Sequence, residues 1–453
     1  MSLLLTMNVK VLTFLFFFSV VSYLLYPYTN SNLDAIKYSE TEKEPPTKSK
    51  QCAPDIAPFY IYDLPDRFNE GLLNNCSDID RWKDMCSYFA NQGMGQPLNK
   101  PNWYNTYQFT ADMLFYGRAV NHPCRTYNSS SALMFYIPFY ASLYTHVFSH
   151  EINLTRRDAL GVDLLDHISK QPTFQRHHGH DHFLPVGLMA MDFLRNPEEK
   201  DGKTSHGNKF LTLPQLSNVS IPIIERDIYN GKNQFGIPYP SYFHPKSKAE
   251  MRIWQDEVRR SERTHLFSFV GGGRMKGHGS EKFRTAVINQ CNNTENCILV
   301  FCKYWIVTWD AADETLGAMK RAHFCLQPPG DTWTRRSIFD SILAGCVPVF
   351  FSDNTAYKQY TWYIPEIRED WSVLIGPDQL DRIEEVLSQI PQEEVERMRE
   401  AVIGMIPHVT YMHPNASWTE IGSRDVVDTA LVELTKRVRE FKHNAGVTQE
   451  NNL

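Results

Sequence analysis

The sequence predicts an α/β protein in which two Rossmann-like domains face a cleft, with a transmembrane helix near the N-terminus. Three observations favour this architecture. A chain of 453 residues exceeds what one compact core holds, so two or three domains are expected. From residue 59 onward, short β-rich runs alternate with amphipathic stretches, which is the pattern of parallel βα units. An uncharged run over residues 11–28 is just long enough to cross a bilayer as a helix.

The N-terminal segment predicts a membrane anchor and a stem. Residues 1–10 are expected to form a short cytoplasmic tail, and residues 11–28 an uncleaved signal anchor. A cleaved signal peptide is the rival interpretation, but no small-x-small cleavage site follows the apolar run. Residues 29–58 are polar and carry little that could pack, so they predict a flexible stem that holds the rest of the chain off the membrane.

Sequons and cysteines indicate a lumenal location in the secretory pathway. Six N-x-S/T sequons follow the stem, and their glycosylation sites would be Asn75, Asn128, Asn153, Asn218, Asn292 and Asn415. Nine cysteines suit an oxidising compartment, and the odd count leaves at least one thiol free or intermolecular. Cys76 with Cys86, and Cys291 with Cys297, are near enough in sequence to pair, although the connectivity stays open. Together these features describe a single-pass type II membrane protein.

The composition is that of an ordinary globular protein. Hydrophobic residues make up 42% of the chain and charged residues 22%, so a packed core is expected. The net charge of −6 does not favour binding to nucleic acid, so nucleic acid is not an expected partner. Aromatic residues, at 13%, fit both sugar-stacking surfaces and a large core, and the core is the safer interpretation.

The lumenal part is expected to divide near residue 245. In the first half, residues 59–245, the patterns predict strands at 59–64, 132–139, DHFLP, 209–213 and 219–224. They also predict one helix that starts at Ser77–Asp78 and two more helices at 108–120 and 156–170. In the second half, residues 246–440, a helix at 247–263 leads into strands at 265–270, 298–301, 323–327 and 346–351, and residues 441–453 form a tail. Open parallel sheets bind ligands beyond the carboxyl ends of their strands, so a cleft site is expected.

The first loop of interest in the second half is GGGRMKGHG, residues 271–279. Its glycines would let the backbone approach a ligand closely before a helix N-terminus. Arg274, Lys276 and Lys282 add positive charge. The run fits neither the P-loop pattern nor G-x-G-x-x-G, so a mobile surface loop is an equally good interpretation.

The second loop, PPGDTW, precedes a helix with two arginines near its start. Thr334 is the expected N-cap, which places Arg335 and Arg336 in the first turn. Cations there oppose the helix dipole, and a bound diphosphate would explain them, shared between backbone N–H groups and guanidinium forks. Asp340 could then accept hydrogen bonds from vicinal hydroxyls of a ribose or sugar. The alternative is an ordinary Arg336–Asp340 ion pair within the helix.

The segment FCLQPPGDTWTRRSIFDSILAGCVPVFF, followed by YKQYTWYIP, closely resembles the signature of the exostosin-like glycosyltransferases, family 47. Within that family it is most similar to the plant xyloglucan galactosyltransferase group. FYIYDLPDRFN, WYNTYQF and FGIPYPSYFHP agree as well, and the resemblance spans roughly residues 59–440. It implies a lumenal Golgi membrane enzyme with a GT-B fold that transfers a sugar, with inversion, from a UDP-sugar onto a polysaccharide side chain. The group favours UDP-galactose as donor and xyloglucan as acceptor.

The resemblance also implies a donor site and its chemistry. The donor-binding residues would be Arg284, Gly330, Asp331, Arg335, Arg336 and Asp340. No metal or other cofactor would be needed, because arginines and a helix N-terminus neutralise the diphosphate. The one D-x-D, Asp78–Asp80, lies at an expected helix start and is interpreted as a cap. The run GGGRMKG differs from the Ala-Gly-Ala-Pro-Arg type of run in the family. The donor could therefore carry galacturonic acid or arabinose instead of galactose, and the acceptor could be another wall polysaccharide.

The stretch QRHHGHDHF, residues 175–183, holds four histidines. If this stretch were a strand, His178, His180 and His182 would lie on one face and could bind zinc. A zinc site is disfavoured because Gly179 interrupts the strand and no nearby Cys or carboxylate provides a fourth ligand. The family has Gly-Arg-Asp-His-Phe here, and an inverting transfer needs a base for the acceptor hydroxyl. Asp181 and His182 are therefore the candidate catalytic residues, at a strand end facing the cleft. An equally good interpretation is that Asp181 and His182 only hold the loop in place by hydrogen bonds.

Two other classes of function are weighed against this one. A non-catalytic scaffold, or a sugar-binding partner of other glycosyltransferases, would fit the unusual glycine-rich run, but the intact RRSIFD block argues against inertness. A glycoside hydrolase would need two carboxylates at a suitable separation, and no such pair is identifiable by spacing. Hydrolysis of a UDP-sugar by the lumenal part would discriminate the enzyme from the scaffold.

We predict that residues 11–28 stay in the mature protein as its anchor. The reason is that an apolar run long enough to span a bilayer is followed by no cleavage site. N-terminal sequencing of the protein purified from membranes is the measurement. A mature chain that starts beyond Tyr28 would contradict the prediction.

Overall fold

The computed structural model describes residues 52–80, 84–196, 198–202, 206–273, 281–301, 309–416 and 424–446. The predicted tail, the anchor and most of the stem lie outside these ranges, as do residues 274–280 of the glycine-rich run. Within the ranges given, no helix is long and apolar enough to cross a membrane. The chain has an α/β fold whose sheets are built from parallel strands.

The first half of the chain forms two sheets of parallel strands. Their strands are β1 (Phe59–Ile61), β2 (Arg125–Thr126), β3 (Met134–Tyr136), β4 (His182–Phe183), β5 (Val186–Met189), β6 (Ile221–Glu225) and β7 (Gln234–Gly236). The strand orders are β2-β1-β3-β4 and β5-β6-β7. A bridge between Phe183 and Ser220, just before β6, joins the two sheets. β6 is a buried apolar run up to its last residue, as expected of a parallel strand covered on both faces.

The second half forms a five-stranded parallel sheet of order β12-β11-β10-β8-β9. Its strands are β8 (His265–Gly271), β9 (Cys297–Phe301), β10 (Ala322–Gln327), β11 (Val347–Phe350) and β12 (Val373–Leu374). β8 and β10 are neighbours, so the loops after their carboxyl ends start side by side. These loops are the glycine-rich run and PPGDTW, the two segments from which the sequence predicts a binding site.

Helices connect the strands and cover the sheets. They are α1 (Cys86–Phe89), α2 (Ala111–Val120), α3 (Ala141–Val147), α4 (Leu154–Ser169), α5 (Pro172–His177), α6 (Lys248–Arg260), α7 (Glu281–Asn292), α8 (Trp309–Lys320), α9 (Arg336–Leu343), α10 (Ala356–Gln359), α11 (Ile383–Ser388), α12 (Gln392–Met405) and α13 (Val426–Asn444). α6 begins at a capping box formed by Ser247 and Glu250. Met251, Trp254 and Val258 recur at helical spacing and pack in the same core as α9.

Disulfides cross-link both halves. The pairs expected between Cys76 and Cys86 and between Cys291 and Cys297 are confirmed. Cys52–Cys124 and Cys325–Cys346 are bonded as well, and the latter ties β10 to the residue before β11. The ninth cysteine, Cys302, lies outside the described residues.

The last helix, α13, returns to the first half of the chain. Asp425 caps its N-terminus and pairs with Arg118 of α2 at 2.7 Å, with both side chains buried. Asp428, one turn on, lies 3.2 Å from His122. Removing one partner of a buried ion pair leaves the other charge buried and unpaired. This lowers the free energy of unfolding by about 3–5 kcal/mol. The pair therefore fixes α13 on the first half, whereas the sequence assigns residues up to 440 to the second domain.

Two local predictions are wrong. The expected strand at 209–213 is a 3-10 turn over Phe210–Thr212, because the Asn208 side chain accepts from the Phe210 N–H at 2.9 Å and starts a turn. The helix expected from Ser77–Asp78 is instead a 3-10 helix, Glu70–Asp78, that ends there. Its start is set by the Asn69 side chain, which accepts from the Glu70 N–H at 2.7 Å. Asp78 is therefore not a cap at a helix start.

Candidate active site

The predicted donor loop, residues 328–335, follows the carboxyl end of β10. Arg284 lies on α7, the helix after β8, and its side chain is buried between the two loops. Its Nε donates to the carbonyl of Pro329 at 3.0 Å, and its Nη1 donates to the carbonyl of Gly272 at 2.9 Å. Arg284 thus ties the donor loop to the start of the glycine-rich run, as parts of one site.

Within the donor loop, Arg335 folds back over Gly330. The guanidinium of Arg335 pairs with Asp331, and its Nη1 donates to the carbonyl of Thr334 at 2.8 Å. A side chain at position 330 would overlap this guanidinium, so Arg335 takes this position because residue 330 is glycine. The side chains of Arg335 and Asp331 are 25% and 31% exposed, so an incoming anion can reach the cation.

The start of α9 differs from the prediction by one residue. Arg335 is the N-cap and Arg336 the first helical residue, so the expected cap at Thr334 is wrong. The cause is that the N–H and the hydroxyl of Thr334 are both engaged elsewhere. Its N–H donates to Glu225 at 2.8 Å, and its hydroxyl lies 2.8 Å from the Tyr360 hydroxyl.

Arg336 joins three segments of the chain. Its Nε is 3.3 Å from Asp340 Oδ2, its Nη1 donates to the carbonyl of Thr106 at 2.7 Å, and its guanidinium carbon lies 3.7 Å from the centre of the Tyr242 ring. The residue is 8% exposed, and its Nη2 has no hydrogen-bond partner among the described residues. A buried guanidinium N–H without an acceptor suits an anionic ligand.

Asp340 has both carboxylate oxygens engaged. The Ser241 hydroxyl donates to Oδ1 at 2.6 Å, and Oδ2 faces Arg336. Burial raises the pKa of this carboxyl, while the charge of Arg336 and the bond from Ser241 act in the opposite direction. The ion pair weighed as an alternative for Arg336 is therefore present, but it is buried rather than on the surface. A ligand hydroxyl would reach Asp340 only by displacing Ser241.

Sequence reasoning missed Glu225, the last residue of β6. Its Oε1 accepts from the Thr334 N–H at 2.8 Å and its Oε2 from the Tyr239 hydroxyl at 3.1 Å, although 109 positions separate Glu225 from Thr334. Burial raises the pKa of Glu225, while a bond from the Thr332 hydroxyl and the charge of Arg335 lower it. The one available signal was a carboxylate that closes the otherwise apolar strand IPIIE.

Asp181 and His182 lie together and are fully buried, with 0% and 1% exposure. His182 Nδ1 is 2.8 Å from Asp181 Oδ1, and its Nε2 is 2.7 Å from the Tyr62 hydroxyl. Burial lowers the pKa of His182 and outweighs the bond to Asp181, so the ring is neutral, with Nδ1–H donating to Asp181 and Nε2 accepting from Tyr62. Neither ring nitrogen is open to an acceptor hydroxyl. This geometry favours the loop-fixing role over that of a base.

The structure also defines the position of this pair along its strand. Asp181 precedes β4, so it lies at the amino end of its strand, whereas the donor loop and Glu225 lie at carboxyl ends. Phe183 is level with Ser220, five residues before Glu225, which corresponds to a rise of about 16 Å along a strand. Asp181 and His182 thus lie at a strand end, as predicted, but far from Glu225 along the strand direction, and their facing the cleft stays a prediction.

The other histidines of the cluster pack against the last helix. The run is not a strand: α5 ends at His177, and His178 is left-handed, with φ 49°. The His180 ring stacks on Phe441 of α13 with centroids 4.3 Å apart, and His177 lies 5.8 Å from the same ring. In the described ranges, no group of three or more His, Cys, Asp or Glu side chains is placed to hold a metal ion.

Comparison with models of known protein families shows which family this chain belongs to. The model of the exostosin GT47 domain matches residues 57–390, which include every strand described above and the whole donor loop. This chain belongs to the exostosin GT47 family.

Curated GT47 relatives cover most of the chain. A probable xyloglucan galactosyltransferase of Arabidopsis thaliana, GT17, is 46% identical over 84% of this chain and 83% of its own length. The xyloglucan galactosyltransferase MUR3 of the same plant is 39% identical over 84% of this chain and 62% of its own. The plant's xyloglucan-specific galacturonosyltransferase 1 is 32% identical over 84% of this chain and 57% of its own.

Solved structures are more distant. A GtfA/B complex aligns at 10% identity with a TM-score of 0.30, over 63% of this chain and 61% of its own. Arabidopsis thaliana UGT89C1 complexed with UDP aligns at 9% identity with a TM-score of 0.29, over 68% of this chain and 72% of its own. Scores at this level carry no argument about fold or function.

We predict that Asp181→Asn weakens the fold more than the chemistry. The amide oxygen still accepts from His182 but carries no charge, so the free energy of unfolding should fall by about 1–3 kcal/mol. Thermal unfolding and single-turnover rates of the purified protein are the measurements. Loss of a true general base costs about 10²–10⁴-fold in rate, so a fall of that size in a folded variant would return Asp181 to the catalytic role.

Proposed function

We propose that this GT47 protein is an inverting glycosyltransferase that moves galactose from UDP-galactose onto side chains of xyloglucan, a plant cell-wall hemicellulose. Family membership and the names of the relatives support the enzyme class and the acceptor. The observation that carries the proposal is the buried Arg336 beside the partly exposed Arg335 at the N-terminus of α9. Two cations at the positive end of a helix call for an anion there.

The donor site would work by exchange of partners. Arg335 is paired with Asp331 in the unliganded protein, and a diphosphate would replace that carboxylate as the acceptor. Arg336 keeps its pair with Asp340 and offers the Nη2 that has no partner within the described residues. As the bond to the sugar breaks, negative charge grows on the UDP leaving group, and preorganised guanidinium groups stabilise it without a metal ion. No metal or other cofactor is part of the proposal.

The architecture we propose is GT-B, with the donor on the second half and the acceptor on the first. Parallel sheets in both halves, and the contact between the ends of β6 and β10, support it. The protein would be a single-pass type II protein of the Golgi membrane, with residues 11–28 as anchor and sugars on its sequons. None of the six sequon asparagines is buried.

A different donor sugar is the second candidate. A xyloglucan-specific galacturonosyltransferase shares 32% identity with this chain, so galacturonic acid from its UDP-sugar has direct support among the relatives. The uronic carboxylate would need a cation close to the sugar. The glycine-rich run carries Arg274 and Lys276, which lie outside the described residues.

A transfer assay tests the proposal. The purified lumenal part is incubated with a panel of UDP-sugars and xyloglucan oligosaccharides in the presence of a chelator. A product heavier by one hexose, formed from UDP-galactose alone, is expected, with no more than about tenfold loss in the chelator. Transfer only from UDP-galacturonic acid would select the second candidate. No transfer and no UDP-sugar hydrolysis would favour a non-catalytic scaffold instead.

We predict that Arg336→Ala lowers turnover by about 100-fold, because a charge-assisted contact to the leaving group is lost in the transition state. Arg336→Lys should recover only part of the activity, since a point charge does not form a two-pronged contact. UDP affinity and turnover are measured for both variants, together with thermal unfolding.

Arg263→Ala is the matched control. Its guanidinium donates to the carbonyls of Met319, Ala322 and Ala344 in the same half of the chain, away from the donor loop. It should reduce stability without a selective loss of UDP affinity. Unchanged UDP affinity and turnover in folded Arg336→Ala would refute the donor-site placement.

A further inference from the structure

Glu225 connects the first half of the chain to the donor loop. It ends β6, the middle strand of the β5-β6-β7 sheet, and is 4% exposed. One carboxylate oxygen accepts from the N–H of Thr334, the residue before the N-cap of α9. The other accepts from the hydroxyl of Tyr239. A buried carboxylate with a hydrogen bond on each oxygen is held in one orientation and in turn holds its donors.

A second contact strengthens the same junction. The hydroxyl of Tyr360 donates to the carbonyl of Ile224, the residue before Glu225, at 2.9 Å. Because that bond uses the single proton of Tyr360, the hydroxyl of Thr334 must donate to Tyr360, from 2.8 Å away. Both the N–H and the side chain of Thr334 are thus fixed by the end of β6, one directly and one through Tyr360.

The groups that face Glu225 explain what the junction controls. The hydroxyl of Thr332 and the charge of Arg335 both lower the pKa of Glu225, against the larger effect of burial. Arg335 also donates to the Thr334 carbonyl. A displacement of Thr334 would therefore move Arg335 and the first turn of α9 together. Contacts that bind a diphosphate need placement to within about 0.5 Å, so the loop has to be held by neighbouring groups.

We propose that Glu225 is a positioning residue of the donor site, which holds the Thr334 N–H and so sets where Arg335 and the N-terminus of α9 meet the diphosphate. The inference rests on the proposed function, since it assumes a UDP-sugar in this site. Glu225 is not assigned as the base, because both of its oxygens are engaged and the side chain is buried. The role needs an acceptor oxygen at this place rather than a proton acceptor.

Two substitutions separate these roles. Glu225→Gln keeps the size and an oxygen for the Thr334 N–H, so UDP affinity should stay within about threefold and turnover within about tenfold. Glu225→Leu removes the acceptor and leaves a buried N–H unpaired, so UDP affinity should fall by about tenfold or more. Calorimetric titration of the lumenal part with UDP, and transfer rates, are the measurements. Glu257→Gln, at a half-buried carboxylate paired with Lys100 and Lys320, is the control and should match the wild type.

Tyr239→Phe covers the case in which Glu225→Leu does not fold. It removes only the donor to the second carboxylate oxygen, so UDP affinity should fall by about two- to threefold. Tyr363→Phe is its control, because that buried hydroxyl donates to the carbonyl of Val426, away from the donor loop. Equal UDP affinities for Tyr239→Phe and Tyr363→Phe would count against the positioning role.

The outcomes distinguish this inference from the function on which it rests. If wild-type protein binds no UDP, the proposed function fails and the inference falls with it. If the wild type binds UDP and folded Glu225→Leu binds it equally well, only the positioning role is refuted. If Glu225→Gln retains UDP affinity but loses more than about 1,000-fold in turnover, Glu225 is the base and the positioning role is overturned.

Discussion

Backbone groups at the carboxyl ends of the strands have no further ladder partners, and this chain satisfies them across the boundary between its two halves. The carbonyl of Ile224 accepts from Tyr360, and the N–H and carbonyl of Arg226 are both bonded by the side chain of Gln359, at 2.8 Å and 3.0 Å. Glu225, between them, takes the Thr334 N–H. Since buried backbone groups left unpaired are costly, this requirement fixes the end of β6 against the donor loop.

The electrostatics of the donor loop follow from that junction. Arg335 and Arg336 are each paired with a carboxylate four residues away, one exposed and one buried. The exposed pair can exchange its carboxylate for a ligand at small cost, because surface ion pairs contribute only about 0–1 kcal/mol. The buried pair gives the site a fixed charge instead. One guanidinium is therefore adjustable and the other rigid, which suits a loop that binds an anion and then releases it.

The sequence predicted the parallel α/β pattern because strand and helix periodicities are local properties. It also placed two loops after strands, and the structure shows that those strands, β8 and β10, are neighbours. It did not predict the contact of Arg336 with Thr106, because the two residues are 230 positions apart and no local pattern records that contact. It missed Glu225 for the same reason. The hydrogen bonds that engage both ring nitrogens of His182 were equally unpredictable, because Tyr62 is 120 positions away in the sequence.

UDP is expected to bind at the donor loop and not at the histidine cluster. Hydrogen exchange measured by mass spectrometry, with and without saturating UDP, tests it most directly, because backbone amides in both segments report separately. Exchange should slow in peptides that cover residues 328–338 and 281–288 and stay unchanged over residues 175–183. Protection over residues 175–183 with none over 328–338 would contradict the account.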